Sequence, residues 1–570
     1  MIEAWSAEDV RAAEVPLLES GVPLMQMAAF MLATTSTPAL LPTGSGEELD
    51  ALPGVRVALL VGSGANGGDA LHAGAVLASR EADVVAACIS ERVHPEGLEA
   101  LREAGGRVVD LSAGPTSPDW SSTIADVLAC DLVFDGLVGI GATGPLRGVA
   151  LELVRSLTGA DELARTLEVA RTSTSTGPGR ARKGTAIATL GGGPRTGRTE
   201  RPRPVVVAVD APSGIGVDDG TVGGPVLPAD VTLTFGATKP GLLLPPAAHL
   251  AGDVHFVDLG LSQPIAEQGA EPVLRRLELG DVADLWPVPG PTDDKYSRGV
   301  LGVVAGTPTY PGAAVLVTTA AVRTGAGMVR YVGPDAVAAS VLAARPEVVP
   351  AEGRVQAWTV GPGLPGEGAG DDAGQLARAR EALDAAAGDP DQDRAPVPVV
   401  VDAGALDLVA TRVQDGGRLS AHVVLTPHAG ELSRLLRALG ERAGRDEVEA
   451  EPLRHARRAH ELTGATVLLK GGVTVVVGPG VVYSQADASG WVATAGSGDV
   501  LSGILGTLLA AYPQECVDEP DLAARLAAAA SLVHGVAGGA ANPGGPVSAL
   551  DVARAVPAVV AELLRDDEDE

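Results

Sequence analysis

The sequence has little cysteine, little aromatic content and a deficit of positive charge. Its three cysteines, Cys88, Cys130 and Cys516, are too few and too scattered for a disulfide framework or a zinc site. The 42 Lys and Arg residues face 72 Asp and Glu residues, which gives a formal net charge of -30. Sequence-independent binding to nucleic acid or to an anionic membrane needs a positive field. We therefore expect no nucleic-acid partner and no membrane partner.

The sequence also lacks the apolar segments that membrane and secreted proteins carry. No apolar run reaches the roughly 18 uncharged residues that a membrane span needs. The N-terminus, MIEAWSAEDV, has neither a basic start nor an apolar stretch, which argues against secretion. With 46% hydrophobic and 20% charged residues, the 570-residue chain is suited to packed cores and is too long for a single core. We expect a cytoplasmic protein of more than one domain.

Lysine and asparagine are rare enough for their positions to be informative. Only four of the 42 basic residues are lysines, and only two residues are asparagines. They are Lys183, Lys239, Lys295, Lys470, Asn66 and Asn542. A lysine kept in an arginine-rich chain suggests a need for a compact point charge. Three of the lysines and Asn66 fall in glycine-punctuated motifs, which favours a function for them, although chance placement is the alternative.

Short valine-rich runs that alternate with helical segments predict α/β domains. In the first part of the chain such runs predict strands at 55–61, 83–89, 131–135, 205–210, 231–235 and 254–257. Because these runs are apolar throughout, they favour a parallel sheet covered on both faces, in a Rossmann-like three-layer α/β/α domain. The same alternation restarts at Val300 and continues to the C-terminal region. The fold class is therefore α/β, with two domains.

Two segments interrupt this alternation. Residues 172–204 have no aromatic residue, no periodicity and many arginines, which predicts a disordered insertion, with a basic arm for an acidic partner as the alternative. Residues 263–290 have no sheet character, which predicts a linker. We expect the first domain at 1–262 and the second at 291–570, where an acidic, solvated tail ends the sequence.

A glycine loop follows the first predicted strand. Gly62–Gly67 matches G-x-G-x-x-G before a helix, and Asp83 stands at the spacing of a ribose contact. Such glycines allow a phosphate to approach the N-terminus of the helix, but a tight turn between strand and helix explains them equally well. Asn66 and Asp69 add oxygen atoms beside these backbone donors. Together they suit an ion and a polar ligand.

Two more predicted strands end in polar residues. Asp135 ends one of them, and Asp210 and Ser213 follow another. Because the carboxyl ends of parallel strands meet at one edge of a sheet, we expect these three residues and Asn66 to converge. Their oxygens suit a monovalent cation or hydroxyl groups. Taken singly, each residue is equally compatible with a helix cap.

Five segments of the first half carry a family resemblance. They are VRAAEVPLLESGVPLMQMAA, VGSGANGGDALHAGAVLA, FDGLVGIGATGPLRG, AVDAPSGI and TFGATKPG. On these segments, residues 1–260 resemble the NAD(P)HX epimerases, which form the N-terminal domain of bifunctional NAD(P)H-hydrate repair proteins. The family's usual Asn-Asn-Gly-Gly-Asp reads Ala65–Asp69 here, so the first Asn, to which the resemblance assigns one substrate hydrogen bond, is replaced by Ala65, while the cation-ligand Asn66 is in place.

The resemblance implies a site for K⁺ and for a hydrated nicotinamide nucleotide. It implies that K⁺ is bound by Asn66, Asp135 and Ser213. The nucleotide would be lined by Ala65, Asn66, Gly67, Gly68, Asp69, Gly139, Ile140, Gly141, Ala142, Thr143, Gly144, Pro145 and Asp210. Asp210 is the candidate for proton transfer during epimerisation.

The most specific pattern of the chain is ATAGSGDVLSG, at 493–503. Its glycines place backbone N–H groups at the start of a helix, next to the carboxylate of Asp499. This arrangement suits the general base of phosphoryl transfer, because the base takes a hydroxyl proton while the amides hold the developing charge. The structural alternative is a capped helix after a glycine turn. Lys470 and His428 stand at the ends of other predicted strands, where His428 alone is also explained as a structural histidine.

Seven ordered segments between Lys295 and Gly538 carry a second resemblance. They are KYSRGVLGVVAGTPTYPGAA, VGPGLP, VVDAGAL, LTPHAGE, LLKGGVT, TAGSGDVLSGIL and HGVAG. On these segments the second half resembles the ADP/ATP-dependent NAD(P)HX dehydratases, which implies a ribokinase-like α/β/α fold. The usual Gly-Thr-Gly-Asp has Ser497 in place of Thr, and the usual GPGLG ends in Pro365.

This second resemblance also implies binding residues. The hydrated nucleotide would contact Ala313, Gly363, His428 and Asp499. ADP would be held by Lys470, Gly471, Gly472, Val473, Thr474 and Gly498. Mg²⁺ would accompany the ADP or ATP, and the composition of the chain favours ADP.

Together the resemblances imply a bifunctional isomerase and lyase. One site would interconvert the R and S epimers of NADHX and NADPHX. The other would phosphorylate the added hydroxyl of the S epimer and eliminate it, with Asp499 as base. The alternative is a ribokinase-like vitamin or sugar kinase fused to a nucleotide-binding module, and the motif spacing does not separate the two. We expect a homo-oligomer.

Overall fold

The computed structural model describes residues 1–37, 51–142, 144–159, 203–366, 374–388 and 394–565, and the backbone of Arg182–Lys183. Within these ranges, residues 3–273 form one compact unit, and residues 274–565 form a second one that also includes Met1 and Ile2. Both units are built on a β-sheet with helices packed against it. The predicted fold class, two α/β domains, is confirmed.

The N-terminal unit contains an eight-stranded sheet in which every paired strand is parallel. Strand β1 (Ile2–Ala4) is not part of this sheet. Its eight strands are β2 (Arg56–Val61), β3 (Asp83–Cys88), β4 (Arg107–Asp110), β5 (Leu132–Gly136), β6 (Arg182–Lys183), β7 (Val205–Val209), β8 (Val231–Phe235) and β9 (Asp253–Val257). Their order in the sheet is β4-β3-β2-β5-β7-β8-β9-β6. All six strands predicted from the sequence are present.

Helices cover both faces of this sheet. They are α1 (Ala7–Glu19), α2 (Leu24–Ser36), α3 (Ala65–Ser79), α4 (Pro95–Glu103), α5 (Trp120–Leu128), α6 (Gly148–Thr158) and α7 (Ser262–Glu267). Successive residues of β2 point to opposite faces, so Leu59 joins the core with α3 while Leu60 joins the core with α5 and α6. The apolar pattern of the strands is therefore explained by burial on both sides.

The C-terminal unit contains the strands β10 (Leu274–Arg276), β11 (Val300–Val304), β12 (Met328–Tyr331), β13 (Ala357–Val360), β14 (Val399–Val401), β15 (Val423–Leu425), β16 (Thr466–Leu469), β17 (Thr474–Val477) and β18 (Val482–Gln485). The sheet has the order β1-β10-β18-β17-β16-β15-β14-β13-β11-β12. Strands β11 to β16 pair in parallel, whereas β16, β17 and β18 form an antiparallel meander. The parallel strands all end at one edge, which carries the second candidate site.

The helices of this unit are α8 (Leu279–Leu285), α9 (Pro311–Thr324), α10 (Asp335–Ala344), α11 (Gln375–Asp384), α12 (Leu406–Gln414), α13 (Ala429–Ala438), α14 (Arg445–Ala450), α15 (Pro452–Thr463), α16 (Ser497–Ala511), α17 (Pro513–Asp518), α18 (Leu522–Ala541) and α19 (Ala549–Leu563). In the described part of the chain, only α18 is by itself long and apolar enough to cross a membrane, and 72% of its most apolar window is buried inside the unit. Its apolar residues lie in the core beside α16 and α19.

The structure differs from the sequence-based expectation at 263–290. This stretch contains the end of α7, the strand β10 and the helix α8, and β10 pairs in parallel with β18 through Arg275 and Tyr483. The two units divide between Val273 and Leu274. Because β10 is only three residues long and reads LRR, it has no apolar run to reveal it. Apart from the backbone of Arg182–Lys183 and residues 203–204, the insertion expected at 172–204 lies outside the described residues.

Candidate functional site

Asn66, Asp135 and Ser213 lie together at the carboxyl ends of β2, β5 and β7. The buried Asp135 carboxylate accepts hydrogen bonds from the Ser213 N–H (2.8 Å) and hydroxyl (2.7 Å). The Asn66 amide donates to the carbonyls of Val209 and Val138 (3.5 Å for the latter), and the Val138 N–H donates to Ser213 Oγ at 3.1 Å. The three side chains therefore surround one short piece of backbone after β5 and present amide, carboxylate and hydroxyl groups to it.

The glycines beside this group are required by close approach of the backbone. A β-carbon on Gly62 would overlap the carbonyl oxygen of Leu137, and one on Gly67 would overlap that of Gly62. A β-carbon on Gly139 would lie 2.5 Å from Asn66 Oδ1. Gly68 instead allows packing, since its β-carbon would lie 3.0 Å from Met25 Sδ. A tight turn between strand and helix thus accounts for Gly62 and Gly67.

The expected ribose contact of Asp83 is wrong. Asp83 begins β3 and pairs with Arg56 at the start of β2, whereas Gly62 follows the other end of that strand. The spacing between Gly67 and Asp83 in the sequence matches that of a dinucleotide-binding fold, but in the structure Asp83 stands one strand length away from the glycine loop. Its side chain is exposed at the opposite edge of the sheet.

Asp210 forms a buried ion pair that the sequence analysis did not assign. Its backbone is left-handed, with a φ of 68°. Its Oδ1 accepts hydrogen bonds from the Lys239 ammonium, from the Thr234 hydroxyl (3.1 Å) and from the Phe235 N–H (3.0 Å). Lys239, of which only 1% is exposed, also donates to the Phe235 carbonyl at 2.8 Å. Both charges are fixed in place by this network.

Two more carboxyl groups share this neighbourhood. Burial raises the pKa of Asp69 well above its usual value, and the negative charges of Asp210 and Glu14 act in the same direction, while Lys239 opposes them. Burial also raises the pKa of Glu14 on α1, against the effect of Lys239. The cluster therefore holds more acidic groups than its single buried ammonium balances.

The loop after β5 and the loop after β7 line a common small cavity of about 10 Å³. Its walls are Val138, Gly139, Ala142, Gly144, Ala211, Pro212, Gly214, Ile215 and Val217. Of the loop residues predicted to bind substrate, Thr143 lies outside the described residues. A β-carbon on Gly141 would lie 3.6 Å from an Arg11 guanidinium nitrogen, which brings α1 next to the same loop.

In the C-terminal unit, α16 begins with free backbone donors. Gly496, at its N-cap, has a φ of 85°, and no side chain caps the helix. A β-carbon at this position would also overlap Leu316, so both conformation and space require glycine here. The Ser497 N–H donates to the Thr494 carbonyl at 3.2 Å, so among the described residues of the first turn the N–H groups of Gly498 and Asp499 are left for an anion.

Lys470 connects this helix to the neighbouring strand ends. Its ammonium nitrogen lies 2.8 Å from Asp402 Oδ1, and a β-carbon on Gly498 would lie 3.2 Å from the same nitrogen. The buried Asp402 also accepts hydrogen bonds from the Ser502 hydroxyl (2.8 Å) and the Ala403 N–H (2.9 Å). Asp402 thus holds the ammonium of Lys470 against the first turn of α16.

The charges around Asp499 set its protonation. Burial raises the pKa of Asp499 to about 7, the negative charges of Asp402 and Glu431 add to this effect, and Lys470 opposes it. Burial lowers the pKa of Lys470, but Asp402 and Glu431 outweigh it, so that the net shift is upward and the ammonium stays charged. Asp499 can therefore exchange a proton near neutrality beside a permanent positive charge.

The remaining predicted residues of this unit lie at the same edge. His428 caps α13 through Nδ1, which accepts from the N–H groups of Gly430 (3.0 Å) and Glu431 (3.2 Å), while 58% of its side chain is exposed. A β-carbon on Gly363 would lie 2.6 Å from that of Ala313, so these two are adjacent. The segment from Lys470 to Thr474 forms the turn between β16 and β17.

His534 is a partner of the motif that the sequence analysis did not assign. Its Nε2 lies 3.0 Å from the hydroxyl of Ser497, and burial lowers the pKa of His534 to about 4. The ring is therefore neutral and fixes a hydroxyl group at the start of α16. Ser497 replaces the threonine of the usual motif, and both residues carry a hydroxyl group. The hydrogen bond to His534 explains why this position needs one.

Lys239, Asp402, Glu431 and Ser502 also had no role from the sequence. All four stand inside the glycine-rich segments quoted above, and Lys239 is one of only four lysines. A rare lysine near a strand-end carboxylate was the available indication. The described residues contain no group of three or more His, Cys, Asp or Glu side chains placed to hold a metal ion.

Two family models match the chain. One, described as NAD(P)H-hydrate dehydratase, matches residues 301–556. The other, described as the N-terminus of YjeF-related proteins, matches residues 22–171 and 195–241. The two matches fall on the C-terminal and N-terminal units respectively.

Similar proteins match most of the chain. The bifunctional NAD(P)H-hydrate repair enzyme Nnr of Mycobacterium tuberculosis H37Rv is 41% identical over 520 residues, which cover 89% of each chain. That of Mycobacterium leprae is 40% identical over 517 residues, with 89% of each chain covered. A crystal structure of the ADP/ATP-dependent NAD(P)H-hydrate dehydratase from Bacillus subtilis has 23% identity and a TM-score of 0.39, covering 52% of this chain and 100% of that one. The chain belongs to the family of bifunctional NAD(P)H-hydrate repair enzymes.

Proposed function

We propose that this chain repairs hydrated nicotinamide nucleotides at two sites. The N-terminal site interconverts the R and S epimers of NADHX and NADPHX, and the C-terminal site dehydrates the S epimer with ADP or ATP as phosphoryl donor. The observation that carries the proposal is the setting of Asp499, whose pKa of about 7 is combined with uncapped helix amides and the ammonium of Lys470. A titrating base, an anion hole and a fixed cation are what phosphoryl transfer to a hydroxyl requires.

The dehydration proceeds in two steps. Asp499 takes the proton of the hydroxyl group on the hydrated ring, and the oxygen forms a bond to the terminal phosphorus of the nucleotide. The bond from that phosphorus to the bridging oxygen breaks, which releases AMP from ADP or ADP from ATP. The first-turn amides of α16 and the Lys470 ammonium stabilise the charge on the transferred phosphoryl oxygens. The carbon–oxygen bond then breaks with its electron pair leaving on phosphate, and loss of the proton from the neighbouring carbon restores the ring double bond.

The nucleotide would lie along the turn between β16 and β17. Lys470 to Thr474 and Gly498 would hold its phosphates and its nucleoside. Asp402, Glu431 and Asp499 lie around the ammonium of Lys470, but among the described residues they form no group placed to hold a metal ion, so the phosphates of the nucleotide would have to supply ligands of Mg²⁺. Mg²⁺ bound there would neutralise the phosphate charge. His428, Ala313 and Gly363 would contact the hydrated nucleotide.

The epimerase site combines a cation and a proton-transfer group. Asn66, Asp135 and Ser213 would hold K⁺, since amide, carboxylate and hydroxyl oxygens are the ligands that hard cations take. The cation would supply a fixed positive charge beside the substrate. The Ala65–Asp69 turn and the loop 139–145 would line the nucleotide, and Asp210 would transfer the proton.

The two activities are separable in the full-length chain. Purified protein is incubated with mixed epimers of NADHX, ADP, Mg²⁺ and K⁺, and both epimers and NADH are followed by chromatography. Both epimers are expected to disappear as NADH forms. Asp499→Asn is expected to abolish NADH formation while epimer exchange continues. If Asp499→Asn still forms NADH, its role as base is wrong, and a stable phosphorylated vitamin or sugar product would indicate a kinase instead.

The proposal also includes a cytoplasmic location and a homo-oligomeric state. Because both sites are on one chain, the same protein can convert the R epimer into the S epimer and dehydrate it. Light scattering of the purified chain measures the oligomeric state directly, and a mass of 57.1 kDa would exclude the homo-oligomer.

A further inference from the structure

The epimerase site contains two carboxyl groups in opposite surroundings. Asp210 receives hydrogen bonds from a hydroxyl, from an amide and from the Lys239 ammonium, all on one oxygen. Lys239 is enclosed and has no room to move away. Donors that include a full positive charge stabilise the ionised form of a carboxyl group. One oxygen of Asp210 is therefore fixed by three donors, one of which carries a full positive charge.

Asp69 has the reverse environment. It lies in the first turns of α3, only 8% of the residue is exposed, and among the described residues no donor hydrogen-bonds its carboxyl group. Its charged neighbours are mainly negative, because Asp210 and Glu14 outweigh the single charge of Lys239. Burial without a donor favours the neutral acid, and the raised pKa of Asp69 has this cause.

We propose that Asp69 is the general acid of the epimerase site and that Asp210, positioned by Lys239, is the base that works with it. This inference rests on the proposed epimerase function. Acid–base catalysis on one substrate needs two carboxyl groups in contrasting surroundings, and the three donors on Asp210 and the lack of a donor among the described residues for the buried Asp69 supply that contrast. Asp69 is thus more than a lining residue, and Lys239 is a positioning residue.

The reaction is balanced in atoms and charge. Asp69 donates its proton to the hydroxyl on the hydrated carbon, and the carbon–oxygen bond breaks with its electrons on oxygen, releasing water. The lone pair of the ring nitrogen forms a double bond to that carbon. Water then adds from the opposite face, and Asp210 accepts its proton. After product release, proton exchange with solvent returns a proton to Asp69 and removes one from Asp210. The reverse reaction uses the same two groups in exchanged roles, which an isomerase requires.

The neighbours of Asp69 determine how the site responds to pH. The charged groups that act on it are Glu14 of α1, and Asp210 and Lys239, which follow β7 and β8, while His94 at the start of α4 lies against the neighbouring Gly68. Of these, Glu14 raises the pKa of Asp69 from a helix outside the proposed machinery. A substitution of Glu14 therefore changes the pKa of Asp69 without removing a reacting group.

The first test is Asp69→Asn in the full-length chain. The amide keeps the shape and the neutral charge of the acid but has no proton to give, so a lining role would survive the change. We expect the epimerase kcat to fall by about 100-fold or more, the usual contribution of a general acid, with KM changed less than kcat. Hydrogen exchange of peptides from β7, β8 and β9 controls for the folding of the N-terminal unit, and NADH formation from the S epimer controls for the C-terminal unit.

The second test is the pH profile of Glu14→Gln. The direction of epimerisation in which Asp69 is the acid needs protonated Asp69, so the initial rate in that direction declines as pH rises through the pKa of this group. Without the negative charge of Glu14 that pKa falls, and the decline moves to lower pH while the plateau rate is retained. A decline that does not move, or Asp69→Asn with wild-type kcat, overturns the assignment. Absence of enzyme-dependent exchange in the wild type would instead overturn the proposed epimerase function itself.

Discussion

Lys239→Met is expected to destabilise the N-terminal unit strongly. Methionine has a similar length and no charge, so the substitution removes the ammonium with little change in packing. In the wild type that ammonium contacts the Asp210 carboxylate, the Thr234 hydroxyl and the Phe235 carbonyl. With only 1% of Lys239 exposed, water has no path to replace these contacts.

The magnitude follows from the burial of the pair. Breaking a buried ion pair by removing one partner costs about 3–5 kcal/mol, because the other charge stays buried without compensation. The free energy of unfolding of a typical domain is about 5–15 kcal/mol, so this loss is a large fraction of the total. The Lys239→Met/Asp210→Asn double variant leaves no buried charge. It is expected to recover about 1–3 kcal/mol relative to Lys239→Met, the usual coupling energy of residues in one network.

Hydrogen exchange measured by mass spectrometry separates the two units in one experiment. Peptides from β7, β8 and β9 report on the N-terminal unit, and peptides from β13 and β14 of the same molecules serve as control. A loss of 3–5 kcal/mol corresponds to exchange that is faster by about two to three and a half orders of magnitude. Equal exchange in wild type and Lys239→Met, or a double variant no better than Lys239→Met, would refute the argument.

The remaining predictions concern the two reactions and the helix start. The kcat/KM of dehydration is expected to rise with pH through about 7, because Asp499 must be ionised to act, and Lys470→Met should move the rise to higher pH in initial-rate profiles. Gly496→Ala should cost about 1–2 kcal/mol for its left-handed backbone, and more for the overlap with Leu316. Gly416→Ala, which has a φ of 84° and open space around it, is the matched control, and melting curves with and without ADP measure both. Replacing K⁺ by choline, or Asn66 by Ala, should slow epimer exchange and leave dehydration of the S epimer unchanged, as followed by chromatography.

The strands and glycine loops were predictable because their information is local. Each strand of the N-terminal sheet is a continuous apolar run, since helices cover both of its faces. The same rule fails for β10, whose residues Leu274–Arg276 pair with β18 but form no apolar run. A strand of this length is identified only by the partner that it meets in the folded chain.

The ion pairs of the two sites were not predictable in the same way. Asp210 and Lys239 are 29 residues apart, and Asp402 and Lys470 are 68 residues apart. Each pair forms because its residues follow strands that lie near one another in a sheet, which depends on strand order and register. The sequence marked the lysines as unusual, but their partners follow from topology alone.

The lysines of this chain differ widely in their access to solvent, and this has a practical consequence. Among those with described side chains, Lys295 is exposed, the side chain of Lys470 is 21% exposed and Lys239 is enclosed. An amine-acylating reagent should therefore label Lys295 first, reach Lys470 only when no nucleotide covers it, and spare Lys239 until the domain opens. In a single labelled sample, the peptide with Lys295 would then report that the reagent was delivered. The peptide with Lys470 would report whether nucleotide is bound, and the peptide with Lys239 whether the N-terminal domain is intact.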